Sequence, residues 1–341
     1  MDKLLIRIFF SLYVIVQTVI ANESIYIDAN MAIKMIEKNN IQFIISEKSL
    51  NKIKGSKSVE LPLLFSGDIL GKLICSPLYS CPKTLEKYFS SLGINNNQPL
   101  ILYDNNYGVY AATLYTIFES LGHKNITILD GGIEAISKID PNQKSYSKYK
   151  LELDNLLLAQ SNDINSSSIK PNESKLNELK KKLEVLKSHL LIEKNSINNK
   201  RNVETSYIVS DINFDYLLSK NDLKEAVKKR QLYGEESNIT IIDTCPMVDI
   251  VGSNNGNYLM GVKPISWKSV LDKENHRLKP KEELELLFKN HKLDKNHNNY
   301  LYCMSASPKA LFMMTVMREL GYSKVKAFTG DWNHWEGDVN E

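Results

Sequence analysis

"YLYCMSASPKALFMM", Tyr300 to Met314, leads from an aromatic, apolar run through one cysteine into five small or polar positions, and then back into an apolar run. It reads as a strand ending at Tyr302, a tight connection over Met304 to Ser307, and a helix opening at Ser307–Pro308. Serine is a favoured N-cap and proline a favoured first helical residue. Cys303 therefore stands where a strand meets the positive end of a helix, among amides that have no intrahelical partner. Such a place favours an anion and raises the thiolate fraction of a cysteine.

The same pattern occurs earlier in the chain, at an offset of 302 − 103 = 199 residues. With Tyr103 set on Tyr302, Leu85 meets Leu284, Phe89 meets Phe288, Ala111 meets Ala310, Thr116 meets Thr315, Gly122 meets Gly321 and Gly131 meets Gly330. "ESLGHKNITILDGG" becomes "RELGYSKVKAFTGD". One ungapped offset over that span predicts a duplicated domain rather than a short-period solenoid. Each copy gives a helix (Pro82 to Leu92; Pro280 to Asn290), an apolar run (Leu100 to Tyr103; Tyr300 to Tyr302), a second helix (Tyr107 to Leu121; Pro308 to Leu320) and another run (Ile126 to Leu129; Val325 to Phe328). Upstream, "IQFII" and "ITIID" are wholly apolar strands of the kind buried on both faces. The fold class is α/β, with two tandem domains, each a parallel sheet flanked by helices, joined by a partly helical linker. In such sheets ligands bind beyond the carboxyl ends of the strands, which is where Cys303 lies.

The 341-residue length fits two domains, and 24% charged with 43% hydrophobic residues is ordinary for a globular chain. A net charge of +3 with no basic stripe argues against nucleic-acid binding. At the N-terminus, Lys3 and Arg7 precede an apolar run over Ile8 to Val16 that ends in small or branched residues at Val19 and Ala21. This predicts a secretory signal peptide cut after Ala21, with no membrane anchorage afterwards and a periplasmic or secreted product. The run is short for a membrane span. The expected organisation is residues 1–21 signal peptide, 22–150 first domain, 151–204 polar helical linker, and 205–341 second domain. In the linker, Leu176, Leu179, Leu183, Leu186 and Leu190 form a seam at three- and four-residue spacing. The seam predicts an amphipathic helix packed on one domain, with a dimerisation helix as the alternative. The four cysteines, Cys75, Cys81, Cys245 and Cys303, allow three complete pairings in an oxidising compartment, and Cys75 with Cys81 would close a small loop.

Several segments, in order, resemble the rhodanese family, specifically its two-domain sulfurtransferases acting on thiosulfate or 3-mercaptopyruvate. "YDNNYGVYAATLYTIFESLGHKNITILDGG" is similar to the first-domain segment in which an aspartate, here Asp104, takes the place of the catalytic cysteine. "IIDTCPMVDIVG", "LMGVKPISW" and "YLYCMSASPKALFMM" resemble the second-domain strand, the segment that follows it and the catalytic loop. "FTGDWNHW" resembles the closing segment, with Gly330, Trp332 and Trp335 matching. The resemblance implies an inactive first domain and a catalytic second one. In the latter, Cys303 attacks a sulfane-sulfur donor (thiosulfate, 3-mercaptopyruvate or polysulfide), holds the sulfur as a persulfide and passes it to a thiol or cyanide. It implies substrate contacts from Met304, Ser305, Ala306, Ser307 and Lys309, support from Asp243 and Trp332, no metal and no organic cofactor; Cys245 is a further supporting candidate by its position. A redox or sulfur-relay protein is a further expected partner.

The departures from the family pattern are local. Ala306 stands where family loops carry glycine, and Pro308 supplies no amide. Tyr258 to Val262 replace His-Ile-Pro-Gly-Ala, and Asp-x-Arg becomes Asp243-Thr244-Cys245. Because that strand also ends near the catalytic loop, Cys245 is expected to approach Cys303 as a resolving or protective thiol, against the plainer reading of a packed cysteine. Two other functions are compatible with the sequence. One is a non-turnover sulfur carrier or partner-binding protein. The other is a cysteine-dependent phosphatase or arsenate reductase, disfavoured because Cys-x5-Lys lacks the planar fork of arginine.

Overall fold

The apolar runs Leu100–Tyr103 and Ile239–Asp243 are buried along their whole length, as strands covered by helices on both faces must be. Leu100–Tyr103 is the central strand of one parallel sheet, and Ile239–Asp243 lies next to the central strand of another. The computed structural model describes residues 24–37, 41–46, 51–61, 82–162, 173–194, 205–209, 213, 215–245, 262–303 and 307–328. The first half contains β1 (Tyr26–Ile27), α1 (Ala29–Glu37), β2 (Gln42–Ile45), β3 (Asn51–Ile53), β4 (Lys57–Ser58), α2 (Pro82–Ser91), β5 (Leu100–Tyr103), α3 (Val109–Ser120), β6 (Ile126–Leu129) and α4 (Gly132–Ile139). Then come α5 (Pro141–Asn162), α6 (Glu173–His189) and β7 (Ile192–Lys194). The second half contains β8 (Leu217–Leu218), α7 (Lys220–Tyr233), β9 (Ile239–Asp243), β10 (Lys263–Pro264), α8 (Lys281–Asn290), β11 (Asn298–Tyr302), α9 (Ser307–Glu319) and β12 (Val325–Phe328).

The first sheet has the order β1-β6-β5-β2-β4 and the second, read from the matching edge, β8-β12-β11-β9-β10. The two orders are the same, and every pairing within them is parallel. The 199-residue offset is thus a repeat of topology as well as of sequence. Helices α3 and α9 are apolar nearly all round and buried against each other at the centre. One core cluster draws Ile44, Leu102 and Phe118 from the first half together with Ile242, Leu301 and Phe312 from the second.

The seam between the halves carries one ion pair between equivalent positions. Arg318 Nη1 and Nη2 donate to the two carboxylate oxygens of Glu119 at 2.6 and 2.7 Å, 199 residues apart in sequence. The packing of α3 on α9 brings the two positions together. The guanidinium also lies over the Tyr216 ring, 4.0 Å from its centroid. Both side chains are about four-fifths buried, at 17% and 20% exposure. Removing the acid strands a mostly desolvated cation. Glu119→Ala is therefore expected to cost about 2–3 kcal/mol in denaturant unfolding, and Glu119→Gln about half of that.

His123, just after α3, is 2% exposed. Its Nε2 lies 2.8 Å from the carbonyl oxygen of Gln98 and so carries the proton. The ring stacks parallel to Tyr207 and meets Phe118 edge-on, and Nδ1 has no partner among the described residues. Burial holds its pKa below the ordinary 6.5, with the Gln98 carbonyl opposing. A base with a lowered folded pKa contributes stability that is complete above its unfolded value and declines as pH falls towards the folded one. Unfolding free energy should therefore fall as pH drops below about 6.5, by at most about 1.4 kcal/mol per pH unit from this group, and His123→Phe should remove that part of the slope.

Residues 141–194 are organised differently from the expected linker. Helix α5 runs unbroken through residue 150, the expected boundary. The seam leucines Leu176, Leu179 and Leu183 of α6 pack with Leu153, Tyr146 and Tyr149 of α5. The apolar stripe is thus used within a helical hairpin. The segment returns to the first half through β7, which pairs antiparallel with β3. Among the described residues no helix is long and apolar enough to cross a membrane. Residues 1–21, Cys75 and Cys81 lie outside the described residues.

Candidate functional site at the strand ends

The connection after β5 shows what this strand–loop–helix unit does with charge. Asp104, 1% exposed, directs its carboxylate into a cradle of backbone amides. Oδ1 accepts from the N–H groups of Asn106 and Gly108, both at 2.8 Å. Oδ2 accepts from those of Tyr110 at 2.7 Å and Ala111 at 2.9 Å. The last two belong to the first turn of α3, whose amides have no helical acceptor. Burial pushes the Asp104 pKa up and the four amides oppose the rise. Each oxygen receives two N–H donors, so the ionised carboxylate is the form that fits. The loop needs two special backbones. Gly108 takes φ +86° at the helix entrance, and a side chain on Gly132 would come within 2.4 Å of the Asp104 carbonyl oxygen.

Adding the offset, 104 + 199 = 303, places Cys303 at the equivalent point of the second half. The amides equivalent to those of the Asp104 cradle belong to Ser305, Ser307, Lys309 and Ala310. Pro308 corresponds to Val109, whose N–H bonds the Asn106 carbonyl rather than Asp104. The proline therefore removes no donor that the first-half cradle uses. Met304, Ser305 and Ala306 lie outside the described residues, as do the side chain of Ser307, Tyr258 to Gly261, and Trp332. Lys309 is partly exposed on the first turn of α9.

Cys303 was expected as a reactive thiol that Cys245 approaches. It is 3% exposed and joined to Cys245, itself 2% exposed, in a disulfide with Cα atoms 5.2 Å apart. The sheet register brings the two together. Tyr302 of β11 pairs with Asp243 of β9, and the next residues carry the chains out of the sheet side by side. Thr244 fastens this end twice, its N–H and its hydroxyl both donating to the Tyr302 carbonyl at 3.0 Å. Asp243 Oδ1 accepts from the Cys245 N–H at 2.9 Å. Burial raises the Asp243 pKa, opposed by that amide and by the Tyr302 hydroxyl. Asp243 and Cys245 thus meet Cys303 at one strand end.

Trp267 was not among the expected site residues. Its backbone N–H donates to the Thr244 carbonyl at 2.9 Å, and its ring meets Phe312 of α9 edge-on and Tyr107 of the first-half loop. His276 closes on the other face of this group, 4.6 Å from Tyr107 between ring centroids. The signal available was position alone, with Tyr107 in the loop after β5 and Trp267 after β10. A cavity of about 990 Å³ opens on the first-half loop, lined by Asn105, Tyr107, Glu134 and His276 and, from the 141–194 segment, Lys187 and Glu193.

A family model described as a rhodanese-like domain matches residues 32–139. No curated protein matches the chain. Among solved structures, the 3-mercaptopyruvate sulfotransferase SseA of Escherichia coli superposes with a TM-score of 0.60 at 16% identity, covering 91% of this chain and 99% of that one. A sub-stoichiometric sulfur transferase subunit of yeast mitochondrial complex I gives 0.63 at 15% identity, covering 92% and 96%. Wild-type EanB gives 0.60 at 12% identity, covering 93% and 68%. The chain therefore has the rhodanese fold in two halves and carries a rhodanese-like domain at residues 32–139.

Proposed function

We propose that the protein is a sulfurtransferase whose nucleophile is Cys303. The observation that carries this reading is the equivalence of Cys303 with Asp104, whose side-chain anion is held by four backbone amides. A persulfide anion on Cys303 needs the same environment, and the equivalent donors come from Ser305, Ser307, Lys309 and Ala310. The Cys303 thiolate attacks the outer sulfur of thiosulfate. The sulfur–sulfur bond of the donor breaks, sulfite leaves with the bonding pair, and the enzyme keeps Cys–S–S⁻. A polysulfide serves by the same step, with a shortened polysulfide leaving; with 3-mercaptopyruvate the attack falls on its thiol sulfur, the carbon–sulfur bond breaks, and the pyruvate enolate leaves with the bonding pair and takes up the thiol proton. A thiol or cyanide then takes the outer sulfur and restores the thiolate. Asp104 has no sulfur to offer, so the first half acts as a wall and a packing partner. Residues 1–21 direct export to the periplasm or the outside, and residues 205–341 form the catalytic domain.

Kinetics test the reading, with Cys245→Ala used to keep Cys303 out of the disulfide. Transfer from thiosulfate or 3-mercaptopyruvate to cyanide should give parallel double-reciprocal lines, the signature of a covalent intermediate. Intersecting lines, or no transfer from any sulfane donor, contradict it. The burial of Cys303 favours a second reading, a carrier that loads sulfur once and yields it to a protein partner. Stoichiometric loading without turnover on small acceptors identifies that case.

A further inference from the structure

We propose that Cys245 resolves the Cys303 persulfide inside the protein, so that the chain reduces a sulfane sulfur to hydrosulfide at the expense of a dithiol. The proposal rests on the sulfurtransferase reading of Cys303 and names the acceptor that the fold itself supplies.

The acceptor's place follows from the sheet. β9 and β11 are hydrogen-bonded neighbours, and Tyr302 pairs with Asp243 at their carboxyl ends. The two Thr244 bonds to the Tyr302 carbonyl hold these ends together, and the Asp243 carboxylate holds the Cys245 amide. The Cα separation of 5.2 Å lies within the range that a disulfide spans. The bond therefore closes between two anchored strand ends. Cys245 and Cys303 are 2% and 3% exposed, which keeps bulk thiols from the inner sulfur while a neighbouring thiol is already there. Holding the two reactants in one place replaces an encounter in solution by an intramolecular step.

The step balances as Cys303–S–S⁻ plus Cys245–SH giving Cys303–S–S–Cys245 plus HS⁻. The Cys245 sulfur bonds to Sγ of Cys303, and the bond from Sγ to the outer sulfur breaks. The outer sulfur leaves with that electron pair and takes the proton of Cys245. The outer sulfur is reduced and the Cys245 sulfur is oxidised. Attack falls on the inner sulfur because that is the atom Cys245 meets, and hydrosulfide is a good leaving group in thiol exchange. A dithiol, small or borne by a protein partner, then reduces the disulfide to two thiols and becomes a disulfide itself. The oxidised pair seen here is the product state of this half-cycle.

The test is a single turnover without oxygen. The protein is reduced with a dithiol, freed of it, and mixed with one equivalent of thiosulfate or 3-mercaptopyruvate. The wild type should release one equivalent of hydrosulfide and yield a peptide linking Cys245 to Cys303. Cys245→Ala and Cys245→Ser should instead retain the persulfide and release hydrosulfide about 100-fold more slowly or worse. A wild type that keeps its persulfide as long as these variants do overturns the proposal and leaves the sulfurtransferase reading standing. Failure of wild type and variants alike to load sulfur overturns both.

Discussion

With Cys303→Ser in place of the native residue, sulfane donors should leave no sulfur on the protein, and transfer to cyanide should fall by about 10³-fold or more, to the uncatalysed rate. The size of the loss follows from the chemistry. A serine hydroxyl at neutral pH is neither an anion nor a sulfur nucleophile, and it forms no persulfide. The equivalent position of the first half holds Asp104, which also accepts no sulfur. Cys245 remains in the variant, at the end of the neighbouring strand. Its N–H is tied to Asp243 rather than placed in a loop equivalent to the Asp104 cradle. Peptide mass analysis after exposure to donor checks this directly. Sulfur appearing on Cys245 with undiminished transfer would mean that the nucleophile has been assigned to the wrong member of the pair.

Asp104→Ala should produce the largest loss of stability of any single substitution considered for the first half, about 4 kcal/mol by denaturant unfolding. The side chain is 1% exposed and accepts four backbone N–H bonds. Deleting it leaves those donors facing a cavity, and each unsatisfied buried donor costs about 1–3 kcal/mol unless water enters to replace the acceptor. The loop it organises also touches the other half, since the Gly108 position faces the Phe312 ring of α9. Asp104→Asn keeps the shape and one acceptor oxygen but turns an N–H₂ group towards amide donors. It should cost about 2 kcal/mol. A negligible loss for Asp104→Asn would show that the cradle holds shape rather than charge.

The sequence made the duplicated parts of this fold legible because a single offset imposed the same element on two unrelated-looking segments. Leu100–Tyr103 and Asn298–Tyr302 are central strands, and Val109–Ser120 and Ser307–Glu319 are the helices that follow them. Each is apolar enough to be read alone and is read more firmly as a pair. The edge strands Tyr26–Ile27 and Leu217–Leu218 are two residues long, too short to show any period. The course of residues 141–194 was hidden for a different reason. The apolar residues of α5 are spent partly on α6, so neither helix shows a stripe aimed at a sheet. The site divides in the same way. Among the candidate residues, Cys303 was read from the strand-to-helix handover, Asp243 from the family resemblance and Cys245 from the strand that ends beside it. Trp267 and Tyr107 were missed because their meeting depends on how the two halves pack, which no local pattern encodes. The approach of Cys245 to Cys303 was legible in the sequence as two strand ends near one loop, and the register of β9 on β11 makes the two cysteines bonding partners.

The most direct measurement of the central claim is peptide mapping of the Cys245→Ala protein after brief exposure to thiosulfate, 3-mercaptopyruvate or polysulfide, with the persulfide trapped by alkylation. One additional sulfur on the peptide that contains Cys303, and on no other, is the predicted result. Sulfur on no peptide with any of the three donors, or on a peptide lacking Cys303, would contradict it.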